Sequence, residues 1–318
     1  VLFIPLWRGE WMYPLKFYPV YKERIWGSSE MATLLNRQLP PGKIGESWEL
    51  SCHSQGMSQV RNGSFAGNTL QTLISAHSRE IIGQTTDGKK MPLLVKILTA
   101  QSALSVQVHP DDAYAQGNEG AEGKIEAWYV LAARPGAQIV YGLKEDVTLE
   151  QLRRAVQNES VTELLRYVPV RKGDLIHVPS GVVHALGAGV AVYEIQQSSD
   201  TTYRIYDYNR RDEQGQQRKL HLDRALEVID FSRQLSLDFS SREIANPYFQ
   251  LSVVTVDGAR PDDGGGRYMI YCVTAGQGVL RYPGGEETLV PGDTVLVPAA
   301  LNVVELCGRL DLLRVQGA

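Results

Sequence analysis

A chain of 318 residues is long enough for about two domains, each with a core of its own. It is 43% apolar and 21% charged with a formal net charge of -4, which is ordinary for a soluble globular protein and leaves no basic excess to suggest nucleic acid. Three scattered cysteines without a CxxC pair argue against a disulfide framework or thiolate zinc site and for the cytoplasm, and no apolar run reaches the roughly 18 residues of a membrane span.

Residues 1–11 hold a short apolar patch broken by Pro5, with the charge after it, which is the reverse of a signal peptide. They read as an extension upstream of a start at Met12. A first helix is expected over 69–82, from Leu70, Leu73, Ile74, Ile81 and Ile82. Runs rich in β-branched residues then predict strands at 93–98, 104–109, 126–131 and 137–141. Thr148 and Gln151 have capping-box spacing and open a predicted helix over 149–166. Strands are expected again at 175–179, 190–196 and 203–206, then a helix over 221–232. Turn clusters at Pro40-Pro41-Gly42, Asp87-Gly88, Pro135-Gly136, Lys172-Gly173-Asp174 and Ala188-Gly189 punctuate these runs. After about residue 235 the texture changes. A loop is expected at 261–266, and short strands follow at 268–273, 278–282, 293–298 and 310–315.

An internal echo relates the two parts. Residues 171–184 and 290–303 both run Gly-Asp, four residues, Pro. The first copy ends in His184 and the second in Val303, so only the first can hold a metal through that residue. Gly173, Pro179, Gly181 and His184 also resemble the second motif of the cupin superfamily. That resemblance implies a small β-barrel with a metal in its mouth. The expected fold is mainly β: a cupin-type barrel or jelly roll with helical insertions over 13–235, and a smaller, metal-free β-barrel over 236–318.

Gln107 and His109 lie two apart on a predicted strand, so they share a face, with Val106 and Val108 on the other. Lys124 and Glu126 share a face in the same way. With His184, these supply one carboxylate, two imidazoles and an amide oxygen. Such a mixed shell suits zinc, with manganese or another divalent ion as the alternative, and it leaves room for water or substrate. His53, His77 and His221 read as surface or hydrogen-bonded histidines. His177, seven residues before His184, should face away on a regular strand.

Seven phrases in order, from about Tyr13 to Val315, are similar to type I mannose-6-phosphate isomerases. They include the segments 23–27, 45–51, 92–98, 104–112, 123–129, 178–186 and 202–207. The resemblance implies one zinc ion per chain on Gln107, His109, Glu126 and His184, an active-site arginine at Arg204, and interconversion of mannose 6-phosphate and fructose 6-phosphate. Ile125 stands where threonine is expected, and Ser180-Gly181-Val182 for Ala-Gly-Thr. Neither departure removes a ligand, so they bear on fine specificity.

An aldose–ketose isomerase moves a proton between C2 and C1 through an enediol, and needs a base, a cation for the developing oxyanion and a phosphate anchor. Arg204 suits the oxyanion or the phosphate; the alternative is an ion pair with Asp207 or Glu194. Lys124 should reach the same cavity, and Glu194 is the candidate base. Lys96, inside an apolar run, should emerge at the substrate site or pair with a carboxylate. Trp48 and Glu49 are candidates to line the pocket, with core packing the alternative for Trp48. The partner implied is a small sugar phosphate, bound by a monomer or homodimer. A metal oxygenase would want a histidine-rich iron shell, against which Gln107 argues. A mere sugar-phosphate binder would not need four ligands. An isomerase for another sugar stays open, because pocket shape sets that choice.

Overall fold

The computed structural model describes residues 12–83, 90–211 and 215–317, so the expectations for 1–11 and for a turn at Asp87-Gly88 lie outside the described residues. The strands begin β1 (Leu15–Tyr18), β2 (Val20–Glu23), β3 (Ile44–Leu50), β4 (Gln59–Val60), β5 (Leu93–Thr99) and β6 (Val106–Val108). They continue β7 (Glu126–Ala133), β8 (Gln138–Leu143), β9 (Leu165–Pro169), β10 (Leu175–Val178), β11 (His184–Leu186), β12 (Val190–Gln197) and β13 (Tyr203–Tyr206). The last are β14 (Glu243–Ala245), β15 (Phe249–Asp263), β16 (Met269–Tyr282), β17 (Gly285–Leu289), β18 (Thr294–Val297) and β19 (Val303–Gly317). The helices are α1 (Glu30–Leu35), α2 (Leu70–Ile81), α3 (Asp112–Glu119), α4 (Leu149–Gln157) and α5 (Leu222–Val228).

Contacts divide the chain into two compact units. The first takes the described residues up to Val20, Trp48–Leu94 and those from Arg242 on; the second takes Tyr21–Ser47 and Val95–Ser241. The sequence predicts two contiguous blocks, 13–235 and 236–318. One break falls close to that boundary, but early segments also group with the last block. The reason is sheet pairing across a long loop: β1 is hydrogen-bonded to β18, with Leu15 opposite Leu296.

A six-stranded sheet runs β10-β7-β12-β5-β3-β2 and a five-stranded sheet β13-β6-β11-β8-β9; apart from the end of β3 and the start of β5, both belong to the second unit. The sheets are open rather than closed into barrels, which is the jelly-roll form of the expected fold. Their shared core holds Leu98, Trp128, Val130, Ile176 and Val192 from the first sheet and Ile139, Tyr141, Val168 and Leu186 from the second. A second cluster covers the other face of the five-stranded sheet. There Val106, Val108, Ala185 and Ile205 pack against Leu152 and Ala155 of α4 and Ala225 and Leu226 of α5. Each fully buried side chain of this size contributes about 1.5–3 kcal/mol. Strand alternation then turns Gln107 and His184 inward, between the sheets.

Two predicted helices are shorter than their apolar pattern. The capping box at Thr148 and Gln151 is formed, but α4 stops at Gln157. Glu159 then adopts a left-handed φ of 57°, which ends the helix; Leu164 closes a short 3-10 turn and Leu165 begins β9. The helix expected over 221–232 spans Leu222–Val228. Helix α3 is an addition: the Asp111 carboxylate accepts from the Tyr114 N–H and caps a helix where only a strand end is expected. The expected loop at 261–266 begins later, since β15 continues through Asp263.

In the first unit, an eight-stranded sheet contains β14-β15-β19-β16-β18-β1-β4, with β17 beside β16. The echo is structural. Gly173 donates to Val130 O and Val130 to Asp174 O, both at 2.9 Å; Gly292 donates to Val273 O at 2.8 Å and Val273 to Asp293 O at 2.9 Å. The two glycines take φ of 95° and 88°, where a side chain would strain the turn. In the second copy, buried Asp293 also pairs with Lys16 at 3.1 Å and Arg61 at 2.9 Å. Replacing Asp293 with alanine leaves the buried Lys16 ammonium without this carboxylate, and should lower the unfolding free energy by about 3 kcal/mol in urea. A shift below about 1 kcal/mol would show that the pair adds nothing over its Thr288 carbonyl contact.

Candidate metal centre

Three side chains from separate segments converge between the two sheets. His109 follows β6, Glu126 begins β7 and His184 begins β11; their ligand atoms all lie within 4.8 Å of one another, and all three residues are buried. The register explains the convergence. His184 stands directly opposite Gln107, and Gln107 opposite Arg204, so one row crosses β11, β6 and β13. On the facing sheet Glu126 lies opposite Gln196, and Trp128 opposite Glu194, on one inward face. Gly181 of the cupin-like motif ties this corner together. Its N–H donates to His109 O at 2.9 Å, and a Cβ there would meet Val228 O at 3.0 Å.

The donor set fits a cation. His109 Nδ1 is 2.9 Å from Thr201 O, and His184 Nδ1 is 2.8 Å from Val182 O. A carbonyl accepts only, so each Nδ1 carries its proton and each Nε2 presents a lone pair. Those two Nε2 atoms face each other at 3.1 Å. Glu126 lies 3.3 Å from His184 Nε2 and 3.5 Å from His109 Nε2. Its Oε1 has no hydrogen-bond partner among the described residues, and Lys124 Nζ stands 2.7 Å from Oε2. Lys124 Nζ is also 3.1 Å from His109 Nε2 and offsets part of this electron density, but the two acceptor nitrogens still oppose each other. A divalent ion among them removes that repulsion.

The charge states agree. Burial, helped by Lys124, pushes His109 down to about 3, and burial lowers His184 despite Glu126, so both imidazoles are neutral. Burial alone would raise Glu126, but Lys124 and then His109 outweigh it and hold the carboxyl well below its usual range. Lys124 loses charge stability to burial yet regains more from Glu126 and Glu194, so it stays protonated. Gln107 Nε2 lies 3.4 Å from His184 Nε2, with Oε1 3.4 Å from Ser105 Oγ. The amide is nearly symmetric in shape, and a half-turn presents the oxygen to the cluster instead.

Glu194 shares the inward face and is engaged at both oxygens, by Lys96 Nζ at 3.1 Å and by Trp128 Nε1 at 3.1 Å. Lys96 thus pairs with a carboxylate that itself shares the inward face. Trp128 also packs edge-on against His184, centroids 5.5 Å apart. Arg204 donates from Nε to Ser105 Oγ at 3.2 Å and from Nη1 to Lys219 O at 2.9 Å. Asp207, weighed as its ion-pair partner, instead binds Arg210 and Arg218. Nothing in periodicity or motif marks those two arginines; only the density of cations after Arg204 hints at them. Trp48 and Glu49 are buried on β3, and Trp48 packs edge-on against His53, centroids 5.7 Å apart. His177 lies opposite Ala127, on the face away from Glu126.

A two-sheet jelly roll with a His–Glu–His cluster facing its interior defines a cupin-type protein with a candidate metal centre. Residues 14–129 match the family model "Phosphomannose isomerase type I, catalytic domain", and 242–316 match "Mannose-6-phosphate isomerase, cupin domain". The mannose-6-phosphate isomerase of Streptococcus mutans is 36% identical over 94% of this chain and 97% of its own length. That of Bacillus subtilis is 39% identical over 94% and 97%. The crystal structure of a mannose 6-phosphate isomerase from Bacillus subtilis superposes with a TM-score of 0.88 at 33% identity, covering 96% of this chain and 99% of the other. The chain belongs to the type I mannose-6-phosphate isomerase family.

Proposed function

We propose that this chain interconverts D-mannose 6-phosphate and D-fructose 6-phosphate through an enediol, with one zinc ion held by Gln107, His109, Glu126 and His184. The observation that carries the reading is the pair of Nε2 atoms 3.1 Å apart beside a carboxylate whose Oε1 has no hydrogen bond, in a member of this family. When bound, the ion supplies Lewis acidity toward sugar oxygens, or an organised water. The chain's own residues do the rest. Arg204 binds an anionic oxygen of the substrate, and its neighbours Arg210 and Arg218 favour the phosphoryl group over the enediolate. Lys124, buried and charged, stabilises negative charge developing on the sugar. Glu194 carries the proton between C2 and C1, and Lys96 orients that carboxylate. Burial of the cluster excludes bulk water. The enzyme works in the cytoplasm, as a monomer or homodimer; its cysteines are free.

The test is a coupled assay with mannose 6-phosphate before and after chelation. Activity should fall by at least about a hundredfold in the chelated protein and return with added zinc. Absence of turnover in protein with its metal bound would refute the assignment.

A further inference from the structure

We propose that Asp207 is the positioning residue of a three-arginine anion platform, holding Arg210 and Arg218 so that, with Arg204, they take the phosphoryl group of the substrate. The inference rests on the proposed sugar-phosphate isomerase activity and deepens it.

The Asp207 carboxylate is only 5% exposed, just after β13. Its Oδ1 accepts from Arg218 Nη2 at 2.6 Å and Oδ2 from Arg218 Nε at 2.7 Å, a fork-on-fork pairing. Oδ1 also accepts from Arg210 Nη2. Arg210 is fixed from two further sides, by Ala103 O at 2.6 Å and Asp207 O at 3.2 Å. Arg204 is held separately by Ser105 Oγ and Lys219 O. Ser105 in turn touches Gln107, which touches His184. A short chain of polar contacts therefore joins Arg204 to the metal cluster.

The charge balance points to a ligand. Among the described residues, the ion pairs of Arg210 and Arg218 both run to Asp207. Three guanidinium groups against one carboxylate leave roughly two positive charges, which match a phosphate monoester of about −1.5 to −2. The three cations sense one another: burial first, then Arg218 and Arg210, hold Arg204 below its usual pKa. Such crowding opposes folding and is retained where an anion relieves it. Without the Asp207 carboxylate, Arg210 and Arg218 would repel each other and swing toward solvent, since their side chains are 20% and 27% exposed. Phosphate would then meet unaligned groups, despite the larger net charge.

Asp207→Asn keeps the shape and removes the charge. Its KM for mannose 6-phosphate should rise about tenfold, and inhibition by inorganic phosphate should weaken by a similar factor, with kcat within about twofold of the parent. Asp207→Glu should recover part of both losses, which a purely structural role would not predict. Should Asp207→Asn fail to fold, Arg218→Gln, which leaves the Asp207–Arg210 pair, should shift the same two constants in the same direction. Unchanged constants, or tighter phosphate inhibition, would overturn the proposal, the second by making Asp207 a brake on charge. If Arg204→Ala relieves phosphate inhibition and Asp207→Asn does not, the platform fails and the activity stands. A parent protein that neither turns over mannose 6-phosphate nor binds phosphate would overturn both.

Discussion

His184→Ala is expected to strip the metal and to lower turnover by at least about a thousandfold, while the chain stays folded. The geometry gives the reason. His184 presents Nε2 to both His109 and Glu126, and its own tautomer is fixed by Val182 O. Removing the ring takes away one strong donor, and the remaining imidazole and carboxylate are then left with the Lys124 ammonium as their nearest cation. Lys124 should settle into the vacated space and neutralise Glu126, which further disfavours metal. The folding cost is modest, because loss of the ring also relieves the opposition of two lone pairs. Trp128 loses an edge contact. Metal analysis after gel filtration, a urea titration and the coupled assay together check this. Retained metal at the parental ratio would remove His184 from the ligand set, and unfolding of the whole chain would make the ring a structural element.

The cluster was readable in the sequence because strand alternation is a local rule. Gln107 and His109 are two apart, and Val106 and Val108 pack beneath the helices as alternation requires. The Gly-Asp echo was readable for a similar reason: a turn at positive φ restricts its residues to glycine. The ends of α4 were less so. The apolar spacing of Leu152, Val156, Leu164 and Leu165 fits a continuous helix, and the break lies in the left-handed backbone at Glu159, which no side chain advertises. The arginine cluster was hidden for another reason. Its geometry depends on Arg218 coming back beside Asp207, a closure that strand and helix periodicity does not encode. The same holds for the pairing of β1 with β18, which assigns early residues to a unit dominated by the C-terminal segment. For Lys96, its place inside an apolar run predicted a site role or a carboxylate partner without saying which carboxylate; Glu194 is that partner.

Arg204→Ala should leave metal content unchanged and lower kcat/KM for mannose 6-phosphate by about two to three orders of magnitude, a loss of roughly 3–4 kcal/mol for a charge-assisted contact to an anionic group. The metal is spared because Arg204 reaches the cluster only through Ser105 and Gln107. The fold is spared because the Lys219 carbonyl that loses its donor is exposed, and the buried Ser105 hydroxyl keeps Gln107 Oε1 as a partner. Free mannose separates the two roles open to this residue. A phosphate contact is absent with the free sugar, so parent and variant should process it at similar, slow rates. An oxyanion contact acts on either sugar, and the variant would then lose kcat on both. The crowding of Arg210 and Arg218 around Asp207 argues for the first outcome, because a single developing negative charge needs one guanidinium while a phosphoryl group can engage several. Parental turnover of mannose 6-phosphate by Arg204→Ala would remove Arg204 from both roles and leave the platform without its link to the metal.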